Sequence, residues 1–318
     1  MSEGRLRIGI IGLGRMGQNH VRVLSLLKSA EIGFVYDTDR ERAEQVAQLA
    51  GVPVADELDG ALGEVDAVVI ASPTVTHEQY VRQAAGRVRH VFVEKPLTES
   101  LESSKALMAF AEANSVQVQV GFIERFNPAV AELKRLLDNS SGVISVDFVR
   151  TNRLSSRITD VDVVVDLMIH DIDLALHLNG PANEVVARGA ARDGTIELAS
   201  AMLRHENGRL SRILASRVTD KKMRTIQASC AEMFVDCELL RKEIRVSRQT
   251  EVMNRPGERY RITAVEETLE VPPQEALLCE LQAFIASAAG DAPPATPGAR
   301  EAVAAMEICE QVQRAILA

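Results

Sequence analysis

The chain has 318 residues, 46% hydrophobic and 25% charged, a balance that excludes a disordered polymer and leaves room for two domains with full cores. Its formal net charge of −9 disfavours a nucleic-acid partner, and no apolar run reaches the roughly 18 residues of a membrane span. Aromatic residues amount to 3% and tryptophan is absent, so stacking platforms for bases or sugar rings are scarce.

From its first residues, MSEGRLRIGIIG, the chain enters a strand pattern and shows no n-region, h-region or cleavage site of a signal peptide. Short apolar runs at 6–11, 32–36, 67–71, 90–93 and 116–120 read as strands covered on both faces, being rich in Val and Ile with little polar alternation. Helical patterns at 15–28, 39–50, 76–86 and 100–113 lie between them. Such alternation predicts a doubly wound parallel sheet with right-handed crossovers, an α/β domain over 1–122.

The pattern changes after Gly121. Asn127-Pro128 reads as an N-cap followed by proline at the first helical position, for a helix reaching Leu137 with a turn at 139–142. A strand at 143–151 leads to a helix over 161–178, which Asn179-Gly180-Pro181 stops. Residues 184–271 are mostly alternating strands, and Asn207-Gly208 between two of them signals a hairpin. A loop at 291–298 precedes a last helix at 300–317. The expected second domain, 123–318, is α+β with a mixed or antiparallel sheet, its last helix free to pack back on the first domain. Cys230, Cys237, Cys279 and Cys309 are scattered with no Cys-x-x-Cys pair. Neither a disulfide framework nor a zinc site is expected, and a cytoplasmic protein fits.

Three motifs carry chemistry. The first is Gly12-x-Gly14-x-x-Gly17, enclosing Arg15 and Met16, between a strand and a helix. Gly12 permits the tight turn, Gly14 lets the backbone approach a pyrophosphate, and Gly17 lets helix pack on strand; the helix N-terminus then faces the phosphates. Asp37 follows the next strand, 20 residues after Gly17, where a carboxylate can accept hydrogen bonds from the adenosine ribose diol. Each such bond is worth about 1.5–3 kcal/mol. A 2′-phosphate there would meet about 4 kcal/mol of repulsion per unit charge at 4 Å in a partly shielded site. NAD is therefore favoured over NADP; Arg40 and Arg42, which open the following helix, are expected to point outward.

The second motif, Glu94-Lys95-Pro96, directly follows a sheet strand at its carboxyl end, where ligands bind in open parallel sheets. A lysine there can stabilise negative charge on a substrate oxygen. The third is VDVVVDLMIHDIDLALHL at 161–178: on a helix, Asp162, Asp166, His170, Asp173 and His177 fall on one face, with apolar residues in every other direction apart from Asp171. A single polar seam on a buried helix is expected to line a cavity. Asp166 and His170 sit one turn apart, about 5–6 Å between Cβ atoms, which suits a carboxylate orienting an imidazole. His177 reads as structural. No third ligand stands at metal-binding spacing, so no metal is expected.

With these residues in place, the chain resembles the Gfo/Idh/MocA oxidoreductases, named for glucose–fructose oxidoreductase and inositol dehydrogenase. The resemblance rests on IGIIGLGRMG (8–17), Asp37, ASPTVTH (71–77), VEKPL (93–97) and DLMIHDID (166–173), in order over essentially the full length. It implies a Rossmann domain followed by a large open sheet whose exposed face forms homodimer or homotetramer contacts. It assigns Lys95, Asp166 and His170 to catalysis, and places Ser72, Pro73, His77 and Glu94 on the cofactor side. Val163, Val164 and Val165 stand where the family usually has glycines. A closer resemblance, through GFIERFNPAV (121–130), 151–173 and DKKMR (220–224), is to the UDP-N-acetylglucosamine 3-dehydrogenase branch, which oxidises the sugar 3-hydroxyl to a ketone. For that substrate Arg125, Asn127, Arg153, Arg157 and Asp173 are the candidate contacts; Arg150 and Arg192 add to a locally basic second domain.

The expected reaction is hydride transfer from a sugar carbinol carbon to the nicotinamide of NAD. His170 is the general base, Asp166 orients its ring and Lys95 holds the reacting oxygen; Lys95 as base with His170 as a hydroxyl anchor stands as the other assignment. A dehydrogenase of a free polyol, inositol or aldose is the rival enzyme, and a nicotinamide-binding sensor the rival non-enzyme.

Overall fold

The computed structural model describes residues 5–152, 161–253, 261–291 and 296–318. Arg153 and Arg157, and part of the predicted loop at 291–298, lie outside the described residues. The chain divides into two compact units, 1–123 with 275–306 and 124–274 with 307–318.

In the first unit, β1 (Leu6–Ile11), β2 (Ala30–Tyr36), β3 (Ala67–Ile70), β4 (His90–Glu94) and β5 (Gln117–Gly121) form a wholly parallel sheet in the order β2-β1-β3-β4-β5. The crossovers carry α1 (Arg15–Leu24), α2 (Arg40–Ala50), α3 (Leu58–Leu62), α4 (His77–Ala84) and α5 (Leu101–Ala113). All four residues of β3 are buried, as a strand covered on both faces requires. α1 stops at Leu24, short of the predicted 28, where Ser25 Oγ donates to the Val21 carbonyl. α3 has only five residues and its LDGAL shows too few turns to read as a helix from sequence. α5 opens with a reciprocal cap between Ser100 and Ser103. Strand order reverses between β1 and β3, the switch point at whose carboxyl edge ligands bind in such sheets.

In the second unit, α6 (Pro128–Asp138) is capped by Asn127, whose Oδ1 accepts the Ala129 N–H at 3.1 Å. β6 (Val143–Thr151) runs into a π-turn at Val164–Met168 by way of residues outside the description, and α7 (Ile169–Asn179) follows directly. β7 (Ala182–Arg192), β8 (Thr195–His205), β9 (Leu210–Ser216), β10 (Met223–Cys230), β11 (Phe234–Glu238), β12 (Glu243–Met253) and β13 (Arg261–Leu269) complete a sheet of order β13-β12-β11-β10-β6-β9-β8-β7. β6 and β9 pair parallel, and the other neighbours pair antiparallel. Gly208, at φ +84°, turns the predicted hairpin between β8 and β9. α6 packs on β11 and β12, α7 on β6 and β9. On that face Phe148, Ile213, Ile226, Val235, Ile244 and Val246 are buried. The other face is open: it carries an Arg212–Asp147 ion pair and the exposed Val186, Met202 and Phe234.

The last helices are α8 (Ala276–Ala289) and α9 (Ala299–Leu317). This part of the chain departs from the single cut at 122/123 suggested by the sequence. Leu277, Leu281, Phe284 and Ile285 of α8 enter the first unit's core, Arg22 pairs with Glu275, and α9 belongs to the first unit as far as Met306. Among the described residues no helix is long and apolar enough to cross a membrane.

Candidate functional site

The nucleotide turn sits at the switch point. Gly12, at φ +87°, donates its N–H to the Tyr36 carbonyl at 2.8 Å, and a Cβ there would lie 2.4 Å from the Ser72 nitrogen. A Cβ at Gly17 would lie 1.9 Å from the Gly12 carbonyl oxygen, so only glycine lets α1 close on the turn. Gly14 is different: nothing stands within 4 Å of its Cβ position, and it is the N-cap of α1 with no side-chain cap. Arg15 is exposed and Met16 half-buried in the first turn. A bare helix N-terminus behind an open glycine fits a dinucleotide's diphosphate.

Asp37 lies beside this turn with its carboxylate organised. Oδ2 accepts the Leu13 N–H at 2.7 Å and Oδ1 the Asp39 N–H at 2.9 Å. Arg42 does not point outward as the sequence suggested; its Nη1 reaches Asp37 at 3.2 Å while Nη2 pairs with Asp39 at 2.9 Å. Asp39 caps α2, and that cap places Arg42 within reach. Arg40 does face away, towards Glu44 and Asp56. A guanidinium on Asp37 softens its repulsion of a 2′-phosphate. Arg42→Ala is expected to raise the ratio of NADP to NAD dissociation constants by about fivefold, the scale of one exposed ion pair. Titration with both cofactors checks this, and an unchanged or lower ratio contradicts it.

His77 opens α4 and is buried, with Nδ1 3.0 Å from the Pro96 carbonyl and Nε2 3.0 Å from the Ser72 carbonyl. Burial lowers its pKa, against the pull of those carbonyls. Each ring nitrogen faces a carbonyl, and the neutral ring, with a single N–H, donates to one of them while sitting between the Ser72-Pro73 loop and the turn after β4. In that turn the Lys95-Pro96 peptide is cis, and the Lys95 N–H donates to Glu94 Oε2 at 3.3 Å. The other oxygen, Oε1, lies 2.8 Å from His20 Nε2. His20 is not among the residues predicted from the sequence. The available signal was its place in the buried stripe Gly17, His20, Val21 and Leu24 of α1, where a polar ring needs a partner.

In the second unit the predicted seam breaks up. Asp162 caps the π-turn, Oδ1 accepting the Val164 and Val165 N–H groups, while Oδ2 accepts from Gln313 of α9 at 2.6 Å. Asp173 is buried and forms a two-pronged pair with Arg125, 2.8 and 2.6 Å. Asp171, the one acid off the seam, is likewise buried and grips Arg150 through two bonds of 2.8 and 2.7 Å. Arg150 also donates to Glu124 at 2.8 Å, and Asn127 Nδ2 lies 3.3 Å from the second Glu124 oxygen. Burial alone would raise Glu124; the Arg150 charge outweighs it and holds the carboxyl below its ordinary range.

Arg125, Arg150 and Asn127 thus all have internal partners, and removing one member of a buried ion pair such as these arginines make costs about 3–5 kcal/mol. Arg192 is exposed, 3.5 Å from Glu197. Asp166 and His170 remain half-buried on successive turns, with the change from π to α winding between them. Ile169 donates to the Val164 carbonyl, five residues back, and such π-turns recur at functional sites. Arg217 Nη2 stands 3.9 Å from Asp166. Val163 and Val164 are fully buried. Among the described residues no three His, Cys, Asp or Glu side chains could hold a metal.

Burial, aided by the Arg125 charge, pushes the His177 pKa down to about 4. The unfolded chain binds this proton below about 6.5 and the folded chain does not until about 4, so stability present above pH 6.5 drains away as pH falls between those values. His177→Gln is expected to flatten the thermal midpoint against pH in that window; an unchanged slope in thermal unfolding contradicts it.

Comparison with known proteins gives the class. The profile of an oxidoreductase family with an NAD-binding Rossmann fold matches residues 6–122, and that of the GFO/IDH/MocA C-terminal domain matches 145–234. The chain belongs to the Gfo/Idh/MocA oxidoreductases and uses NAD. It is 28% identical over 313 residues to UDP-N-acetylglucosamine 3-dehydrogenase of Acidithiobacillus ferrooxidans, covering 95% of this chain and 96% of that one. The solved structure of that enzyme superposes with a TM-score of 0.87 at 27% identity, covering 99% and 98%. The scyllo-inositol 2-dehydrogenase (NAD(+)) of Bacillus subtilis is 34% identical over 196 residues, 56% of this chain and 55% of the relative.

Proposed function

We propose that this chain oxidises a hydroxyl of a sugar nucleotide to a ketone, the substrate being UDP-N-acetylglucosamine and the position its 3-hydroxyl. The observation that carries this reading is extent: similarity to the Acidithiobacillus enzyme runs through both units, 95% of the chain, whereas the inositol dehydrogenase matches 56%. NAD, when bound, supplies the hydride acceptor. The chain does the rest. His170 takes the hydroxyl proton, Asp166 holds the imidazole and stabilises its charged form, and Lys95 steadies the oxygen as it gains negative charge. The first-unit residues Gly12, Gly14, Gly17 and Asp37 hold the dinucleotide. Since Arg125 and Arg150 already grip carboxylates, Arg153 and Arg157 are the nominated arginines left to meet the diphosphate.

The test is mass spectrometry of the product formed from UDP-N-acetylglucosamine and NAD+, with an amine donor and an aminotransferase drawing off the ketone. Loss of two hydrogens from the sugar, followed by conversion to a 3-amino sugar nucleotide, is expected. Turnover of free inositols or aldoses with none of the UDP sugar contradicts the reading.

A further inference from the structure

Glu94 is bracketed by three elements of the first unit. From α1, His20 sets Nε2 2.8 Å from Oε1. From β5, Gly121 stands opposite Glu94 in the ladder, and a Cβ there would come within 2.9 Å of Oε2. From the turn itself, the Lys95 N–H donates to Oε2 at 3.3 Å. Both carboxylate oxygens are therefore engaged, and the absence of a side chain at Gly121 gives Glu94 the room to lie this way.

His20 is fully buried at a core-facing position of α1, where an apolar residue would ordinarily sit. Its ring is edge-on to Phe92 at 5.2 Å, and its Nδ1 is buried with no hydrogen-bond partner among the described residues. The tautomer that satisfies this geometry carries its proton on Nε2 and donates it to Glu94. A buried polar ring with one nitrogen unmet is a poor choice for packing alone. Its one polar contact leads, through Glu94, to the backbone of Lys95.

We propose that His20 is a positioning residue for Lys95, acting through Glu94, so that α1 and the lysine-bearing turn are held as one piece. The helix that faces the dinucleotide's diphosphate thereby fixes the turn that delivers the ammonium. This rests on the reading that Lys95 meets the substrate oxygen. The residue acts at one remove, so its loss lowers kcat rather than cofactor binding.

The experiment compares His20→Ala, His20→Gln and Lys95→Met with the parent. Hydrogen exchange over residues 94–98 is followed by mass spectrometry in the protein without cofactor, alongside NAD+ affinity, thermal midpoint and turnover of UDP-N-acetylglucosamine. In His20→Ala the turn is expected to exchange faster while β1–β3 keep their protection, and kcat to fall on the order of 100-fold with NAD+ affinity nearly unchanged, as misplacement of a reacting group predicts. Glutamine, whose amide N–H can reach Glu94, restores both. Unchanged exchange at the turn overturns the proposal, as does a loss of protection spread evenly over the sheet with a lowered midpoint, or failure of glutamine to restore. If Lys95→Met keeps full turnover the reading of Lys95 fails, and the exchange result, which needs no substrate, still decides whether His20 and Glu94 hold the turn.

Discussion

Replacing His170 with alanine is expected to lower kcat by about 10²–10⁴-fold, the usual contribution of a positioned general base. The imidazole is the side chain whose ordinary pKa lies nearest neutral pH, so it can accept the hydroxyl proton without holding it. Asp166 stands on the preceding turn of the same helix, and Arg217 lies 3.9 Å from that carboxylate. The pair stands on a segment packed against β6 and β9, and its winding changes from π to α between the two residues. Because the proposed role of His170 is to take the hydroxyl proton rather than to hold the dinucleotide, NAD+ affinity is expected to stay within about threefold of the parent. Steady-state turnover with a cofactor titration reads both. Catalysis within about threefold of the parent removes His170 from the mechanism.

Lys95→Met is expected to cost about 10²–10³-fold in kcat, as removal of one donor to a developing oxyanion does elsewhere. Methionine keeps an unbranched stem and leaves the backbone bond from residue 95 to Glu94 available, so the turn itself should hold. What is lost is the ammonium at the carboxyl end of β4. Thermal midpoint and NAD+ affinity near the parent, with kcat and kcat/KM falling together, mark an interaction made in the transition state. Turnover retained to within about threefold shows that the oxygen is steadied by something else.

Much of this was legible in the sequence because it is local. Strands β1 and β3 are short runs rich in Ile and Val, and the glycine turn is marked by positions 12, 14 and 17: a Cβ at Gly12 or Gly17 would strike backbone, whereas Gly14 leaves open space at the helix N-terminus. Asn207-Gly208 announced its hairpin for the same cause, a left-handed residue that glycine adopts freely. Pairing partners were not legible. The sequence shows that Arg125, Arg150 and Asp171 carry charge, and only the fold shows that Asp173, Asp171 and Glu124 neutralise the two arginines internally. The direction of Arg42 is not legible either, since it depends on the cap at Asp39. The seam at 161–178 assumes an ideal α-helix; VVDLM reads the same whether it winds as α or π, and the π-turn with its Asp162 cap shifts the register. The return of α8 to the first core is invisible to periodicity, which reveals an apolar stripe without naming the core it joins.

In the proposed mechanism Lys95 and the Asp166–His170 pair serve the same substrate oxygen. A double-mutant cycle on kcat with Lys95→Met and His170→Ala tests it most directly. Groups that work as a unit are strongly non-additive, so the double variant should be little slower than the slower single one. Penalties that simply multiply would mean that the two groups serve separate events, and the account would fail.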